Sequence, residues 1–252
     1  MTPMQQAAHA SPLPGLMMLV TNHAAALELS PEQISAVKNW RKANHQRSRA
    51  LVQQILQTES LIATAAMNGA EEENLQRLKD QLLNTRGELL ELKFVCVANL
   101  KKILDPPQWN QLMALRSRQQ RVSNDQGALN DVQAFLRIAP MPKLMLVIIM
   151  HSKALKLTPE QDQALEKWRL KNMHTWASLF DQVLREEKLL TANAIALAPA
   201  EDLLQRYDSL LEKRRTMAKM SLACRDNMKK ILTAAQWQQV TERFETYRNA
   251  GI

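Results

Sequence analysis

The feature that most constrains this chain is that it repeats itself. Trp40-Arg41 recurs as Trp168-Arg169, 168 − 40 = 128 residues later. The same offset carries Pro12 and Pro14 onto Pro140 and Pro142, His23 onto His151, and Pro31-Glu32-Gln33 onto Pro159-Glu160-Gln161. It also carries Arg86 onto Arg214, Cys96 onto Cys224, Lys101-Lys102-Ile103-Leu104 onto Lys229-Lys230-Ile231-Leu232, and Gln108-Trp109 onto Gln236-Trp237. No gap is needed along this path, so the pattern reads as one duplicated unit whose copies fold by the same local rules. The organisation that follows is a flexible N-terminal segment over 1–11, a first unit over 12–122, a linker over 123–139 and a second unit over 140–252.

Each unit reads as helical. Five Gly in the whole chain are too few for most turn types and for phosphate-cradling loops, and the residues that dominate are good helix formers. Leu16, Val20, His23 and Leu27 fall at helical spacing and predict a short first helix over about 15–28. A long second helix is expected from Pro31 to about Met67, with Ile34, Val37, Leu51, Ile55 and Leu61 on its inner side, before Asn68-Gly69 breaks it. A third runs from about Glu71 to Ile103 with Leu75, Leu78, Leu82, Leu89, Leu92, Cys96 and Leu100 facing inward. A fourth carries Trp109, Leu112 and Leu115. The expected fold class is therefore all-α, two tandem four-helix units built around long helical hairpins.

The second and fourth helices of each unit begin with the same chemistry. Ser30 with Gln33, Asp105 with Gln108, Thr158 with Gln161, and Thr233 with Gln236 each pair a capping oxygen with a glutamine three residues later. That is the spacing of a capping box, in which cap and amide satisfy each other's backbone N–H. Pro31, Pro106 and Pro159 sit at the first helical position, where a missing N–H costs nothing. A leucine precedes every cap, at Leu29, Leu104, Leu157 and Leu232.

Leu157-Thr158-Pro159-Glu160-Gln161 and Leu232-Thr233-Ala234-Ala235-Gln236 match the pattern Leu-Thr-x-x-Gln as it stands. Leu29-Ser30-Pro31-Glu32-Gln33 matches with Ser for Thr, and Leu104-Asp105-Pro106-Pro107-Gln108 with Asp for Thr. Two such motifs flanking a long helical hairpin resemble the Spy/CpxP (LTxxQ-motif) family, and the likeness covers nearly all of each copy. The resemblance implies a periplasmic, all-helical protein of a kind that pairs into a cradle-shaped dimer. Members of the family hold unfolding polypeptides without ATP, restrain an envelope-stress sensor kinase, or bind zinc, nickel or cobalt. The departure here is the fusion of two units, which implies a monomer whose copies pair as an intramolecular pseudo-dimer. Ala8-His9-Ala10 has the form of a signal-peptidase site, in keeping with a leader absent from this chain.

A formal net charge of +8 favours anionic partners, but the Lys and Arg are spread along the helices, so no nucleic-acid partner is expected. No run is long enough to span a membrane. The absence of nucleotide-loop, nucleophile-elbow and zinc-protease motifs argues against an enzyme. The residues expected to meet a client are Trp40, Arg41, Trp168 and Arg169, which combine aromatic area with charge, and Lys101, Lys102, Lys229 and Lys230. Those lysines also complement the helix dipole at the end of the third helix. The alternative is a metal-binding sensor or buffer with no organic cofactor, using His9, Met17, Met18, His23 and His151 as ligands for a transition metal. His23 and His151 have no second ligand one turn away and read better as packed, partly buried side chains. Met220, Cys224 and Met228 share a helix face, but their counterparts Leu92, Cys96 and Leu100 make packing the better reading.

Overall fold

The computed structural model describes residues 3–124 and 144–250, and among these every regular element is an α-helix. In order they are α1 (Pro3–Ala10), α2 (Leu16–Asn22), α3 (Pro31–Met67), α4 (Glu72–Ile103), α5 (Pro106–Asn124), α6 (Leu144–Leu155), α7 (Pro159–Ile195), α8 (Ala200–Ile231) and α9 (Ala234–Ala250). The long helices match across the repeat offset: α3 and α7 have 37 residues each, α4 and α8 have 32 each. Each of these pairs forms an antiparallel hairpin joined by a short turn. Asp125 to Lys143, and with them most of the expected linker and both Pro140 and Pro142, lie outside the described residues.

All four capping boxes form. Ser30 Oγ accepts from the Gln33 N–H at 3.2 Å, and Gln33 Oε1 accepts from the Ser30 N–H at 2.9 Å. Thr158 and Gln161 repeat this at 3.2 and 3.0 Å. Asp105 with Gln108 does so at 2.7 and 3.0 Å, and Thr233 with Gln236 at 3.3 and 2.9 Å. Each box satisfies two otherwise orphaned amides and contributes about 1 kcal/mol.

Three expectations need correction. The lead-in over 1–11 is not a flexible segment throughout, because α1 packs on α3 and buries His9, Ala10 and Ser11. What orders it is a tie from His9 to Glu59, fifty residues away. The first helix does not run to residue 28. It ends at Asn22, and His23 leaves the helical region at φ −118°, ψ 24°. His151 breaks α6 in the same way at φ −119°, ψ 17°. The break frees the Ala26 and Glu28 carbonyls, which then accept from Gln111 and Gln108. Finally, Leu61 does not face inward: it is 56% exposed. The buried stripe of α3 runs through Ile55, Thr58, Ile62 and Ala66, and Leu61 stands one residue, about 100°, out of phase with it.

The core forms four clusters, and each draws on both halves of the chain. Leu75, Leu82 and Leu89 of α4 pack with Ile55 and Ile62 of α3, and Ala218 and Leu222 of α8 join them. In the other hairpin Leu203, Leu210 and Val183 pack together, and Leu90 and Phe94 of α4 join them. Leu90 and Phe94 are the repeat equivalents of Ala218 and Leu222, so the exchange is reciprocal. At the hairpin turns the exchange recurs: Met67 lies among Leu144, Val147, Leu165 and Met228, while Ile195 packs against the cluster of Leu16, Val37, Cys96 and Leu100. Each turn therefore reaches the helices that open the opposite half.

Candidate functional site

Gln33 and Gln108 do more than cap. The Gln33 side-chain amide donates to Gln108 Oε1 at 2.8 Å and to the Ile103 carbonyl at 2.8 Å. Gln108 donates back to Gln33 Oε1 at 3.0 Å and to the Glu28 carbonyl at 3.3 Å. Counting the cap bonds, each glutamine uses its full amide capacity of two donors and two acceptor sites. Gln161 and Gln236 reproduce the arrangement, donating to each other at 2.8 and 3.0 Å and to the carbonyls of Ile231 and Leu155 at 2.9 and 3.2 Å. The motif glutamines thus clamp the starts of α3 and α5, and of α7 and α9, to the end of the helix between them. Their capacity is spent on structure.

Inside each hairpin lies a buried ion pair. Arg86 pairs with Glu59, and Arg214 with Glu187, at equivalent places in the repeat. The His9 ring Nε2 donates to the other oxygen of Glu59 at 2.6 Å. Burial would raise the Glu59 carboxyl, but Arg86 and His9 together hold it below the usual carboxylate range. The Glu59/Glu187 match was visible in the sequence at the same 128-residue offset as Arg86/Arg214. It is the functional-looking pair that motif reading missed.

The residues expected to bind a metal do not converge. His9 is engaged by Glu59, Met17 is buried beneath α2, and Met18 points outward. His23 is a half-buried helix end, and His151 Nδ1 accepts from Arg243 at 3.2 Å. Among the described residues there is no group of three or more His, Cys, Asp or Glu side chains placed to hold a metal ion. The Cys224 and Met228 sulfurs lie 4.0 Å apart in the core beside Met67 and Met145. Burial pushes the Cys96 thiol up to about 12, against the opposing effects of the Met17 backbone and Lys93, and also raises Cys224. Neither thiol is poised as a nucleophile.

The expected client-contacting residues fall into two groups. Trp40 is half-buried and packs on two core clusters, and Trp168 is half-buried as well. Arg41 is partly exposed, and Arg169 is held by Glu166 one turn away. Lys101, Lys102, Lys229 and Lys230 are exposed at the ends of α4 and α8. Two of them have a structural task as well: Lys101 lies 4.6 Å above the Trp109 ring, and Lys229 lies 5.4 Å above that of Trp237.

The apolar surface lies elsewhere. Met18 and Leu146 are 49% and 53% exposed, and Leu61 and Leu189 are 56% and 52% exposed; both are equivalent pairs in the repeat. Ile149 and Met150 extend the Leu146 face of α6 at helical spacing, and Leu170 and Met173 form a second exposed face on α7. Scattered exposed leucines need no explanation, but exposure kept at the same two places in both copies does. A depression of about 910 Å³ along α4 is not part of this surface. It is lined by Glu71, Glu73, Asp80 and Glu88 against a single Arg77, so it is acidic rather than basic. No helix among the described residues is long and apolar enough to cross a membrane. No protein-family model, curated protein or solved structure matches this chain.

Proposed function

We propose that this protein is a periplasmic, ATP-independent chaperone-like holder of unfolded polypeptide, built from two LTxxQ-type units that pair as an intramolecular pseudo-dimer. The observation that carries this reading is the duplicated exposure of large apolar side chains at Met18/Leu146 and Leu61/Leu189 on a chain of net charge +8. Apolar side chains at matching exposed sites on a basic chain suit segments that are themselves apolar with acidic flanks. The reciprocal burial of Leu90 with Phe94 and of Ala218 with Leu222 supports pairing of the units within one chain. It also supports a cradle held together by core packing rather than by a second molecule.

Trp40, Trp168, Arg41 and Arg169 border the core and contribute area at the edges of such a surface. The exposed lysines at the ends of α4 and α8 supply long-range attraction for acidic segments. A sensor-kinase partner remains a second use of the same surface. The metal-binding alternative draws less support, because His9 and His151 already have protein partners.

The test is aggregation of two unrelated clients that unfold by different routes, followed by light scattering with equimolar protein. Aggregation of both should slow several-fold. A variant carrying glutamate at Met18, Leu61, Leu146 and Leu189 should lose the effect while keeping its helical signal. Failure of the wild-type protein to slow either client would refute the proposal.

A further inference from the structure

The Lys and Arg are spread along the sequence but not evenly among its helices. From Gln33 to Thr58, α3 carries five of them (Lys38, Arg41, Lys42, Arg47 and Arg49) and no Asp or Glu. Lys38, Lys42, His45 and Arg49 fall at i, i+4, i+7 and i+11, which places them in one narrow stripe, and all four are exposed. At 1.5 Å per residue the stripe is about 17 Å long. It lies away from the side that buries Val37, Leu51 and Ile55. Arg47 projects from the opposite side of the helix, where it meets Glu88 at 3.7 Å. Among the described residues no carboxylate pairs with Lys38, Lys42 or Arg49. The contacts of α1 with α3 come farther on, at Gln53 and Glu59.

The repeat shows that the fold does not require this stripe. Its equivalent on α7 is Glu166, Leu170, Met173 and Ala177, and the stretch from Gln161 to Glu186 carries four cations and four carboxylates. Helix length and capping box are the same in the two copies, so the cations are not needed to build α3. Like charges one turn apart repel, and the stripe is therefore carried at a cost in stability.

We propose that the α3 stripe is an electrostatic docking surface for a bilayer bearing anionic headgroups. The stripe is a straight row of long, mobile cations with no pocket and no apolar member. A protein partner would want an apolar or aromatic anchor at the centre of the contact, and a nucleic-acid strand would want aromatic rings on which bases stack. The stripe offers neither. What it offers is charge density, and a layer of lipid phosphates attracts Lys and Arg additively and without fixed geometry. The stripe shares no residue with the Met18/Leu146 and Leu61/Leu189 positions, so docking stands apart from client holding.

The experiment is co-sedimentation of the full chain with vesicles of phosphatidylglycerol and phosphatidylcholine, with pure phosphatidylcholine vesicles as the neutral surface. Binding is expected to the anionic vesicles alone, and should weaken at least about tenfold between about 0.05 and 0.3 M salt. Lys38→Gln, Lys42→Gln and Arg49→Gln combined should weaken it about 100-fold. The matched set on α7, Lys167→Gln, Lys171→Gln and Arg185→Gln, removes the same charge from exposed sites and should weaken it less than about threefold. Equal loss in the two sets, or no preference for anionic vesicles, would overturn the proposal. So would an oligonucleotide that binds the stripe more tightly than the vesicles do. Amine labelling of the unsubstituted chain gives a second measurement that needs no variant. Anionic vesicles should shield Lys38 and Lys42 more than Lys167 and Lys171, and equal shielding would refute it.

Discussion

Set against each other, the two halves agree most where side chains are buried and polar, and differ most at the turns and along the seam. The glutamine clamps match to within 0.1 Å in the amide–amide bonds and in the bonds to Ile103 and Ile231. The buried Glu–Arg pairs occupy equivalent places, as do the lysines over Trp109 and Trp237. By contrast Gly69 becomes Leu197, Gly87 becomes Arg215, and Lys79 becomes Tyr207. A saturated polar network tolerates no drift, since losing one member leaves another buried without a partner. A turn or a seam residue can drift, provided the fold around it absorbs the cost.

The largest effect expected from breaking this equivalence is at the ion pairs. Arg214→Met removes the cation paired with a buried glutamate and should cost about 3–5 kcal/mol in urea unfolding, whereas Arg86→Met leaves Glu59 its bond to His9 and should cost somewhat less. Costs differing by more than about 2 kcal/mol would show that the two pairs are not doing the same job. Glu59 adds a pH test. Its folded carboxyl is held below its unfolded value, so its contribution is present above about pH 4 and is lost as pH falls through the folded value. Acid unfolding of Glu59→Gln should accordingly be less steep than that of the wild-type chain below about pH 4.

Next in size are the clamps. Gln33→Ala and Gln161→Ala should each cost about 1–2 kcal/mol, more than a cap alone, because a long-range tie goes with the cap. A double-mutant cycle of Gln33 with Gln108 should show coupling of at least about 0.5 kcal/mol, and strict additivity would show that the amide–amide bonds carry no energy. The smallest effect concerns the turns. Gly69 sits at φ +77° and Leu197, its counterpart, at φ +59°, a left-handed backbone that a leucine adopts at a cost. Leu197→Gly should raise stability by about 1 kcal/mol, whereas Gly69→Leu should lower it, helped by a Cβ placed 3.1 Å from Lys229 Nζ.

How much of this was legible in the sequence followed the range of the interaction. The four caps were readable because cap and partner are three residues apart and the chemistry is local. The inner stripe of α4 was readable because seven apolar positions keep one phase over its whole length. Leu61 was misplaced because a single apolar residue one step out of phase resembles a member of the stripe. The order of α1 was not readable, since His9 meets its partner fifty residues away. The mutual hydrogen bonds of Gln33 and Gln108 were hidden behind their own capping role, and nothing in one dimension says that two caps face each other. The surface fared worst: Trp40 and Trp168 drew attention as large aromatics, while the exposure of Met18 and Leu61 depended on packing that only the folded chain reveals.

The central claim is that one polypeptide-binding surface has been made twice. Hydrogen–deuterium exchange of the protein with and without an unfolding client measures that directly. The expected result is added protection in α2 and α6 together, and near Leu61 of α3 and Leu189 of α7 together, in similar proportion. Protection confined to one half, or no protection at any of these four places while a client is bound, would contradict the account.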